Sequence, residues 1–295
     1  MVAELTREEW LAKRTDGIGA SEVSAVFGLN PWKSPYALWA EKCGLVASDG
    51  IETEWQRWGN VLEPVICEEY SAQTGRKVID HGRYAIRRST TCPVLTCTLD
   101  REVEAVDERG PGVMDAKNVG PYKDSDWADG APLIYQIQIQ AQLEVTGYKW
   151  GSLAVLIGGQ KFRWIDVERN DKFIEKLRAK CLAFWKLVET REAPPVDGSD
   201  STSDALARLN PIDDGETIAL PGAALEWDEA ILIANETIKA AEARKAEAQN
   251  QIKAAMGAAA FGVLPDGGRY SFKTVTRKGS VTKDVTYRAL KRLSK

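Results

Sequence analysis

Apolar residues recur at helical spacing in the longest patterned stretch of the N-terminal half. Its large apolar side chains are Trp55, Trp58, Leu62, Val65, Ile66 and Tyr70. Residues three, four and seven apart lie on one side of an α-helix, so the stretch predicts a long amphipathic helix. The same spacing predicts helices over residues 5–13, 21–27, 132–146, 171–190 and 227–256, with a short one around Trp39. Thr6 and Glu9 are spaced as a capping box for the first of these helices.

Between these helices, segments rich in alternating and β-branched residues predict strands. They cover residues 82–88, 94–106, 112–117, 150–157 and 161–167, with turn residues between them. The order is helices, three strands, a helix, two strands and a helix. We therefore expect an α/β (α+β) fold with a mixed central sheet flanked by helices.

The last third of the chain has a different pattern. Residues 192–204 contain Ala-Pro-Pro, Gly, Ser and Asp, which is linker composition. We divide the chain into a domain over 1–195, a linker over 196–222 and a C-terminal region over 223–295, which combines a long helix with a short β-rich basic segment.

The long C-terminal helix carries a heptad pattern. Its positions are Ile231, Ile238, Lys245 and Ile252, with alanines at the other heptad position. This spacing predicts a narrow coiled-coil seam, although packing of the helix on its own domain explains it equally well. Residues 269–295 hold nine Lys or Arg and one Asp, and we expect a hairpin around Lys278 and Gly279.

Composition restricts the chemistry more than the fold. A net charge of −4 neither requires nor excludes a nucleic-acid partner. The single histidine, His81, and five scattered cysteines argue against a serine–histidine–aspartate triad, a zinc site or a disulfide framework. Catalysis would then need carboxylates, lysine and a hard metal ion. Because neither a long apolar run nor a signal-peptide core is present, we expect no membrane partner and a cytoplasmic location.

Two acids and a lysine occur on predicted strands. Asp100 ends an apolar run, and Asp115 and Lys117 are two apart on the strand 112–117. Side chains alternate along a strand, so Asp115 and Lys117 share a face that Asp100 reaches if the two strands pair. Such carboxylates, with the Ala116 carbonyl, can hold Mg²⁺ and leave Lys117 to stabilise charge on a phosphodiester. A solvated ion pair is the alternative explanation.

Further polar residues fit the same chemistry. The helix 132–146 carries Tyr135, Gln138 and Gln142 on one face, and glutamine amides can bind phosphate oxygens or hold a water. We assign Tyr135 and Gln140 to DNA contacts. Glu63 lies among apolar residues of the long helix, where a carboxylate needs a partner such as a metal. A polar helix surface and a solvated acid are the alternatives.

The N-terminal segment combines Arg14, a glycine-containing turn and a predicted helix start at Ser21. Free N–H groups at a helix N-terminus, the Ser21 hydroxyl and the Arg14 guanidinium together suit a phosphate group. An ordinary helix cap beside a surface arginine is the alternative.

These segments together resemble the YqaJ-type viral recombinase family, which includes the phage lambda exonuclease and belongs to the PD-(D/E)xK nucleases. The matching motifs are Arg14…Gly19-Ala-Ser21-Glu, Asn30-Pro31-Trp32, Gly59…Leu62-Glu63-Pro64, Leu99-Asp100, Asp115-Ala-Lys117 and Tyr135-Gln-Ile-Gln138-Ile-Gln140…Val145-Thr146-Gly147. They cover roughly the first 190 residues. Leu99 stands where the motif has proline, and Asp115 where glutamate is frequent.

The resemblance implies a restriction-endonuclease-like fold and digestion of linear duplex DNA from the 5′ end with Mg²⁺, for which Mn²⁺ can substitute. The remaining 3′ strand would pass to a single-strand annealing protein of the RecT or Beta type. Members of the lambda type form a ring-shaped trimer, so a homo-oligomer is implied.

The resemblance also implies residue roles. The catalytic set is Asp100, Asp115, Lys117, Glu63 and Gln138; the metal ligands are Asp100, Asp115, Glu63 and the Ala116 carbonyl; the 5′-phosphate residues are Arg14 and Ser21.

Two alternatives stay open at this point. One is another PD-(D/E)xK nuclease, either an endonuclease or an end processor, and the other is a non-catalytic DNA-binding recombination adaptor. The Arg14 and Ser21 pair favours an enzyme that recognises ends. The intact set of Asp100, Asp115 and Lys117 argues against an adaptor.

Overall fold

Helices and short strands alternate along the chain in a computed structural model that describes residues 6–47 and 53–276. The helices are α1 (Arg7–Thr15), α2 (Val23–Val26), α3 (Pro35–Lys42), α4 (Glu54–Thr74), α5 (Leu133–Thr146), α6 (Asp171–Thr190), α7 (Asp200–Leu209) and α8 (Ala224–Met256). The strands are β1 (Ile18–Gly19), β2 (Val78–Ile79), β3 (Ile86–Arg88), β4 (Leu95–Thr98), β5 (Arg101–Val103), β6 (Gly112–Val119), β7 (Trp150–Ile157), β8 (Lys161–Glu168), β9 (Phe261–Val263) and β10 (Arg269–Ser271). The mixed α/β class predicted from the sequence is confirmed.

Local signals set several element boundaries. Thr6 and Glu9 form the predicted capping box: the Thr6 hydroxyl accepts from the Glu9 N–H at 3.2 Å, and the Glu9 carboxylate accepts from the Thr6 N–H at 2.8 Å. Gly147 ends α5 in the left-handed conformation, with φ of 74°, which glycine adopts without a steric cost. Strand β7 and helix α6 have the predicted bounds, because their apolar runs end at clear turn signals.

The larger sheet has five strands in the order β2-β5-β6-β7-β8. Strands β5 and β6 are antiparallel, with Arg101 opposite Met114, and β6 runs parallel to β7, with Asp115 opposite Leu153. A parallel pair needs a crossover connection, and α5 supplies it between β6 and β7. This arrangement places α5 directly over the strand that carries Asp115 and Lys117.

The predicted strand over residues 94–106 is divided in the structure. Its first part, β4, belongs to a three-stranded sheet in the order β1-β4-β3, and its second part, β5, belongs to the larger sheet. The chain changes sheets at Leu99 and Asp100, where the Asp100 carboxylate accepts the Ala116 N–H at 2.8 Å. A side-chain acceptor thus takes the place of a ladder hydrogen bond at the break.

The core has one cluster on each face of the larger sheet. Strand β6 alternates between them: Val113 packs into the cluster beneath α5, and Met114 packs into the cluster beneath α4. Gly151 on β7 is required for the close approach of α5, because a Cβ there would lie 2.5 Å from Val113 Cγ2 and 2.9 Å from Ile139 Cγ2. The close contact fixes the height of α5 above the sheet.

The segment 196–222, which we expected to be a linker, contains helix α7. Thr202 and Ala205 on α7 are buried, and the Thr202 hydroxyl lies 2.8 Å from the Ser34 hydroxyl beside α3. The Ser34 N–H also donates to the Ser201 hydroxyl at 3.0 Å. The linker prediction is therefore wrong for residues 200–209, because small polar residues here make tertiary hydrogen bonds that composition does not reveal.

The chain divides into two compact units, Met1–Pro211 and Ile212–Lys295. In the second unit, α8 is a single helix of 33 residues, as the periodicity predicted, and β9 and β10 form an antiparallel hairpin. Ile231 and Ile238 are about half exposed. The hairpin expected around Lys278 lies outside the described residues.

The five cysteines are free, as expected from their spacing. Within the described ranges, no helix is both long and apolar enough to cross a membrane.

Candidate active site

A groove of about 980 Å³ in the first unit is lined by residues from α1, α3, α4, α5, β4 and β6. The predicted site residues that line it are Arg14, Ser21, Glu63, Asp100, Asp115, Ala116, Lys117 and Gln138. These residues come from segments more than a hundred positions apart, and the fold brings them to one surface.

Asp115 is surrounded by hydrogen-bond donors. Its carboxylate is 1% exposed, and Oδ1 accepts from Gln138 Nε2 at 2.6 Å and from Gln142 Nε2 at 3.0 Å. Its Oδ2 forms an ion pair with Lys117, which lies two residues along the same strand face. The Lys117 ammonium is also 5.3 Å from the centre of the Tyr135 ring. The strand alternation predicted from the sequence therefore holds, and α5 supplies the amides that orient the carboxylate.

Asp100 reaches the same site from the neighbouring strand. The N–H that it accepts belongs to Ala116, between Asp115 and Lys117. Because the N–H and C=O groups of a strand residue point to the same side, the Ala116 carbonyl also faces the Asp100 side of β6. The pairing of β5 with β6, on which the prediction depended, is present.

Burial makes these ionisable groups strongly interdependent. Burial and the neighbouring Asp115 carboxylate raise the pKa of Asp100 to about 8, with Glu63 adding to the rise and Lys117 opposing it. Burial also disfavours the Lys117 ammonium, but Asp115 and Asp100 outweigh burial and raise the pKa of Lys117. Two acids in one buried site repel each other, and a further positive charge would relieve that repulsion.

Glu63 lines the groove but pairs with an arginine. Its Oε1 lies 3.1 Å from Arg101 Nη1, and Arg101 also contacts Asp80 at 3.1 Å. Burial raises the pKa of Glu63, and Arg101 opposes the rise. Glu63 therefore acts on Asp100 through its charge while its own carboxylate is held by Arg101.

The residues suit a metal ion by their chemistry. Across the described part of the chain, no group of three or more His, Cys, Asp and Glu side chains is arranged as a metal site. Asp100, which is half-buried, and Asp115, which is buried, nevertheless repel each other on either side of Ala116. Oxygen donors of this kind match the ligand preference of a hard divalent cation.

Gln140 does not belong to the site to which we assigned it. It is 6% exposed, its Nε2 donates to the Glu168 carbonyl at 2.7 Å, and its Oε1 accepts from the Asn170 N–H at 2.9 Å. Its amide therefore joins α5 to the connection between β8 and α6 and lines a different pocket. The structure therefore places Gln140 outside the groove that holds the acids, and a DNA contact at Gln140 stays a prediction.

Tyr135 also has a different environment from the predicted one. Its ring stacks on the buried Trp127, with centroids 5.5 Å apart, and its other neighbour is Lys117. Tyr135 is therefore placed to support the Lys117 ammonium rather than to line the groove.

Arg14 and Ser21 lie in the same groove as the acids. Ser21 is exposed, and Arg14 stacks over Trp10, its guanidinium 4.7 Å from the ring centre. The predicted helix at Ser21 is a 3₁₀ turn followed by the four-residue α2, and the Gly19 N–H already donates to the Glu22 carboxylate at 2.7 Å. The Glu22 carboxylate thus already uses the Gly19 N–H at this turn, and a phosphate site at Arg14 and Ser21 stays a prediction.

Lys42, which lines the groove, and Arg101, which pairs with Glu63, were missed in the site predicted from the sequence. Both act through partners on other elements, so no local pattern indicated them. Gln142, which helical spacing placed on the same face as Gln138, binds the same oxygen of Asp115.

Comparisons with known proteins point to one family. The family model of the YqaJ-like viral recombinase domain matches residues 9–149, which include every predicted site residue. The protein YqaJ of Bacillus subtilis (strain 168) is 33% identical over 267 residues, which cover 89% of this chain and 82% of that protein.

Two solved structures share the fold. An alkaline exonuclease (LHK-Exo) from Laribacter hongkongensis has a TM-score of 0.53 at 22% identity, covering 62% of this chain and 93% of that chain. Its complex with dAMP has a TM-score of 0.52 at 21% identity, with the same coverage. With 82% of the Bacillus protein covered at 33% identity, the chain belongs to the YqaJ-like viral recombinase family, and it has the restriction-endonuclease-like fold of the phage-type exonucleases.

Proposed function

We propose that the protein is a Mg²⁺-dependent exonuclease that digests linear double-stranded DNA from 5′ to 3′ and leaves a 3′ single-stranded overhang. One observation carries the proposal: Arg14 and Ser21, which suit a terminal phosphate, line the same groove as Asp100, Asp115 and Lys117. Family membership supports it, and so does the fold neighbour, which is an alkaline exonuclease with a second structure in complex with dAMP.

In the proposal, Asp100, Asp115 and the Ala116 carbonyl hold Mg²⁺, or Mn²⁺ in its place, with Glu63 as an additional carboxylate. The bound ion would polarise the phosphodiester and make water more nucleophilic. Gln138 and Gln142 orient the Asp115 carboxylate, and Lys117 stabilises negative charge that develops on the phosphate. Tyr135 supports Lys117 through the face of its ring.

The direction of digestion follows in the proposal from Arg14 and Ser21. A guanidinium can bind two oxygens of a phosphate at once, and a terminal phosphate offers more oxygens and charge than an internal phosphodiester. A 5′-phosphorylated end held by these residues would leave the adjoining phosphodiester near the acids.

A three-substrate assay tests this function. Linear duplex with a 5′-phosphate, linear duplex without it and closed circular duplex are each incubated with Mg²⁺. We expect digestion of linear DNA, fastest with the 5′-phosphate, and loss of digestion in EDTA. Cutting of the circle would instead indicate an endonuclease. Binding without cleavage of any substrate would indicate a recombination adaptor.

The site assignment has its own matched pair of variants. Asp115→Asn should reduce cleavage by about two orders of magnitude or more while DNA binding persists, because the buried carboxylate is removed at nearly unchanged volume. Asp126→Asn removes an exposed acid of the same unit and should cleave normally. Equal rates for the two variants would contradict the assignment.

We extend the proposal to the assembly and the partner. The resemblance to lambda-type members supports a homo-oligomer, with a ring-shaped trimer as its form, and delivery of the 3′ strand to a single-strand annealing protein of the RecT or Beta type. Light scattering of the purified chain measures the mass: a monomer at micromolar concentration would contradict the trimer. Co-purification with a co-expressed single-strand annealing protein of the RecT or Beta type would support the partner.

A further inference from the structure

A buried lysine lies at the Arg14 end of the groove. The Lys42 side chain is 4% exposed, its Nζ is 2.8 Å from Glu22 Oε2, and it also donates to the main-chain carbonyl of Arg14 at 2.8 Å. Lys42 therefore contacts both the residue proposed to bind the phosphate and the acid beside it. Burial of an ammonium group is costly, so its surroundings have to compensate for the lost hydration.

Glu22 is the centre of this cluster. Its Oε2 accepts from the Gly19 N–H, and its Oε1 lies 3.4 Å from Arg14 Nη2. Burial disfavours the Glu22 carboxylate, but the cations Lys42 and Arg14 outweigh burial and lower the pKa of Glu22. Glu22 is therefore ionised at neutral pH and places a negative charge next to the guanidinium of Arg14.

A fixed carboxylate in this position works against anion binding. Without Lys42, the charges of Arg14 and Glu22 would cancel, and a phosphate would meet no net positive charge. With Lys42, the three side chains carry two positive charges and one negative charge. Burial lowers the pKa of Lys42 from its ordinary value and Glu22 opposes the change. The 2.8 Å contact with the ionised Glu22 carboxylate favours the ammonium form of Lys42.

A purely structural role for Lys42 would be to join the end of α3 to the 3₁₀ turn that contains Glu22. Two observations go beyond that structural role. Its ammonium holds the backbone of Arg14 as well as the carboxylate of Glu22, and Lys42, Arg14 and Ser21 all line the groove. A lysine that only joined two elements would not need to contact the anion-binding arginine.

We propose that Lys42 is a positioning residue for the 5′-terminal phosphate of DNA, because it cancels the charge of Glu22 and holds the backbone of Arg14. The inference rests on the proposed function, since it concerns the end-binding part of the same groove. The terminal phosphate is a phosphate monoester, and it gains more from the positive charge that Lys42 restores than an internal phosphodiester does.

The test is the preference of the full-length protein for a phosphorylated end, measured as binding. The dissociation constants of two duplexes, one with a 5′-phosphate and one with a 5′-hydroxyl, are measured in EDTA for wild type, Lys42→Met and Lys42→Arg. We expect Lys42→Met to reduce the ratio of the two dissociation constants by at least about tenfold, because one charge-assisted hydrogen bond contributes about this factor to binding. The loss should come from weaker binding of the phosphorylated duplex. Lys42→Arg should retain most of the preference.

The matched control is Lys161→Met. Lys161 forms a similar pair with Asp124 at 2.6 Å, and neither residue lines the groove or contacts Arg14. It should leave the ratio of the two dissociation constants unchanged. An equal loss of the ratio in both variants would overturn the specific role of Lys42.

A double variant keeps the test valid if Lys42→Met lowers stability. Lys42→Met with Glu22→Gln removes both charges of the pair, so Arg14 again carries an uncancelled charge and the preference should return in part. A folded double variant with no recovered preference would overturn the charge role, as would an unchanged preference in Lys42→Met. A wild type that prefers phosphorylated ends but cleaves no DNA would contradict the proposed function and not this inference.

Discussion

Gln138 and Gln140 are two positions apart on α5, and their side chains have opposite environments. Gln138 donates to Asp115 in the groove, whereas Gln140 joins the Glu168 carbonyl and the Asn170 N–H on the other side of the helix. The two residues have the same chemistry, so their roles depend only on which side of α5 they occupy.

This contrast gives a pair of matched variants. Gln140→Ala should lower the free energy of unfolding by roughly 1–2 kcal/mol, because the buried Gln140 amide no longer pairs with the Glu168 carbonyl and the Asn170 N–H. Gln138→Ala should leave stability nearly unchanged and slow cleavage by about ten- to a hundredfold, because it loosens the Asp115 carboxylate. Urea unfolding and a cleavage assay on both variants measure the two effects. A Gln140→Ala variant that cleaves DNA slowly but unfolds at the wild-type urea concentration would contradict the placement of Gln140 outside the groove.

Asp100 should control how stability depends on pH in the metal-free protein. Its pKa in the folded state is about 8, well above the ordinary value of 3.8, so folding favours its protonated form. The stabilising contribution is therefore complete below about pH 4 and is lost as the pH rises through 8. We expect the free energy of unfolding in EDTA to fall across this range, and Asp100→Asn to show a smaller fall.

Magnesium provides the control for this prediction. The cation and protons compete for the same carboxylates, so excess Mg²⁺ should raise the melting temperature more at pH 8.5 than at pH 5. If the free energy of unfolding falls equally with pH in wild type and in Asp100→Asn, the raised pKa of Asp100 is not the cause of the fall.

At the scale of elements, the groove depends on how α5, α3 and α7 are held. Gly151 lets α5 lie close to the sheet, which brings its glutamines to Asp115. Helix α3 carries Lys42 at its end, and α7 packs beside α3 through Thr202 and Ala205. Helix α7 therefore belongs to the structure that supports the groove.

Two alanines on α7 test its docking. Ala205 is 5% exposed and Ala207 is exposed, so Ala205→Asp buries a charge that Ala207→Asp leaves in water. Ala205→Asp should lower the free energy of unfolding by more than about 2 kcal/mol, and Ala207→Asp should change it by less than about 0.5 kcal/mol. Thermal unfolding of both variants measures the difference. Similar melting temperatures would show that α7 contributes nothing.

At the scale of the whole molecule, the predicted site residues are confined to the unit Met1–Pro211. The second unit contains the long helix α8 and a hairpin, and its heptad pattern leaves open whether it joins chains or packs within one. The described residues that line the groove all lie in this unit, which extends beyond the predicted domain end at 195.

Shortened chains test this boundary. A fragment ending at Pro211 should keep the melting temperature of the first unit and its Mg²⁺-dependent cleavage of short duplexes, since it keeps α7 and the groove. A fragment ending at Pro195 should melt several degrees lower, because α3 loses the contacts of Ser34 with α7. Equal melting temperatures for the two fragments would favour the shorter domain.

Sequence pattern by itself determined the longer helices, strands β7 and β8, and the face shared by Asp115 and Lys117. These depend on helix and strand periodicity, caps and turns, which act between residues close in the chain. The predicted motifs also named the acids and the lysine that line the groove.

Tertiary structure alone decided which glutamines of α5 face the groove, that Glu63 pairs with Arg101, that Lys42 reaches Glu22, and that α7 packs beside α3. Each of these depends on the relative placement of two packed elements. Local periodicity predicts which face of an element is buried, but it does not predict which element packs against that face. Elements far apart in the sequence come into contact only in the folded core.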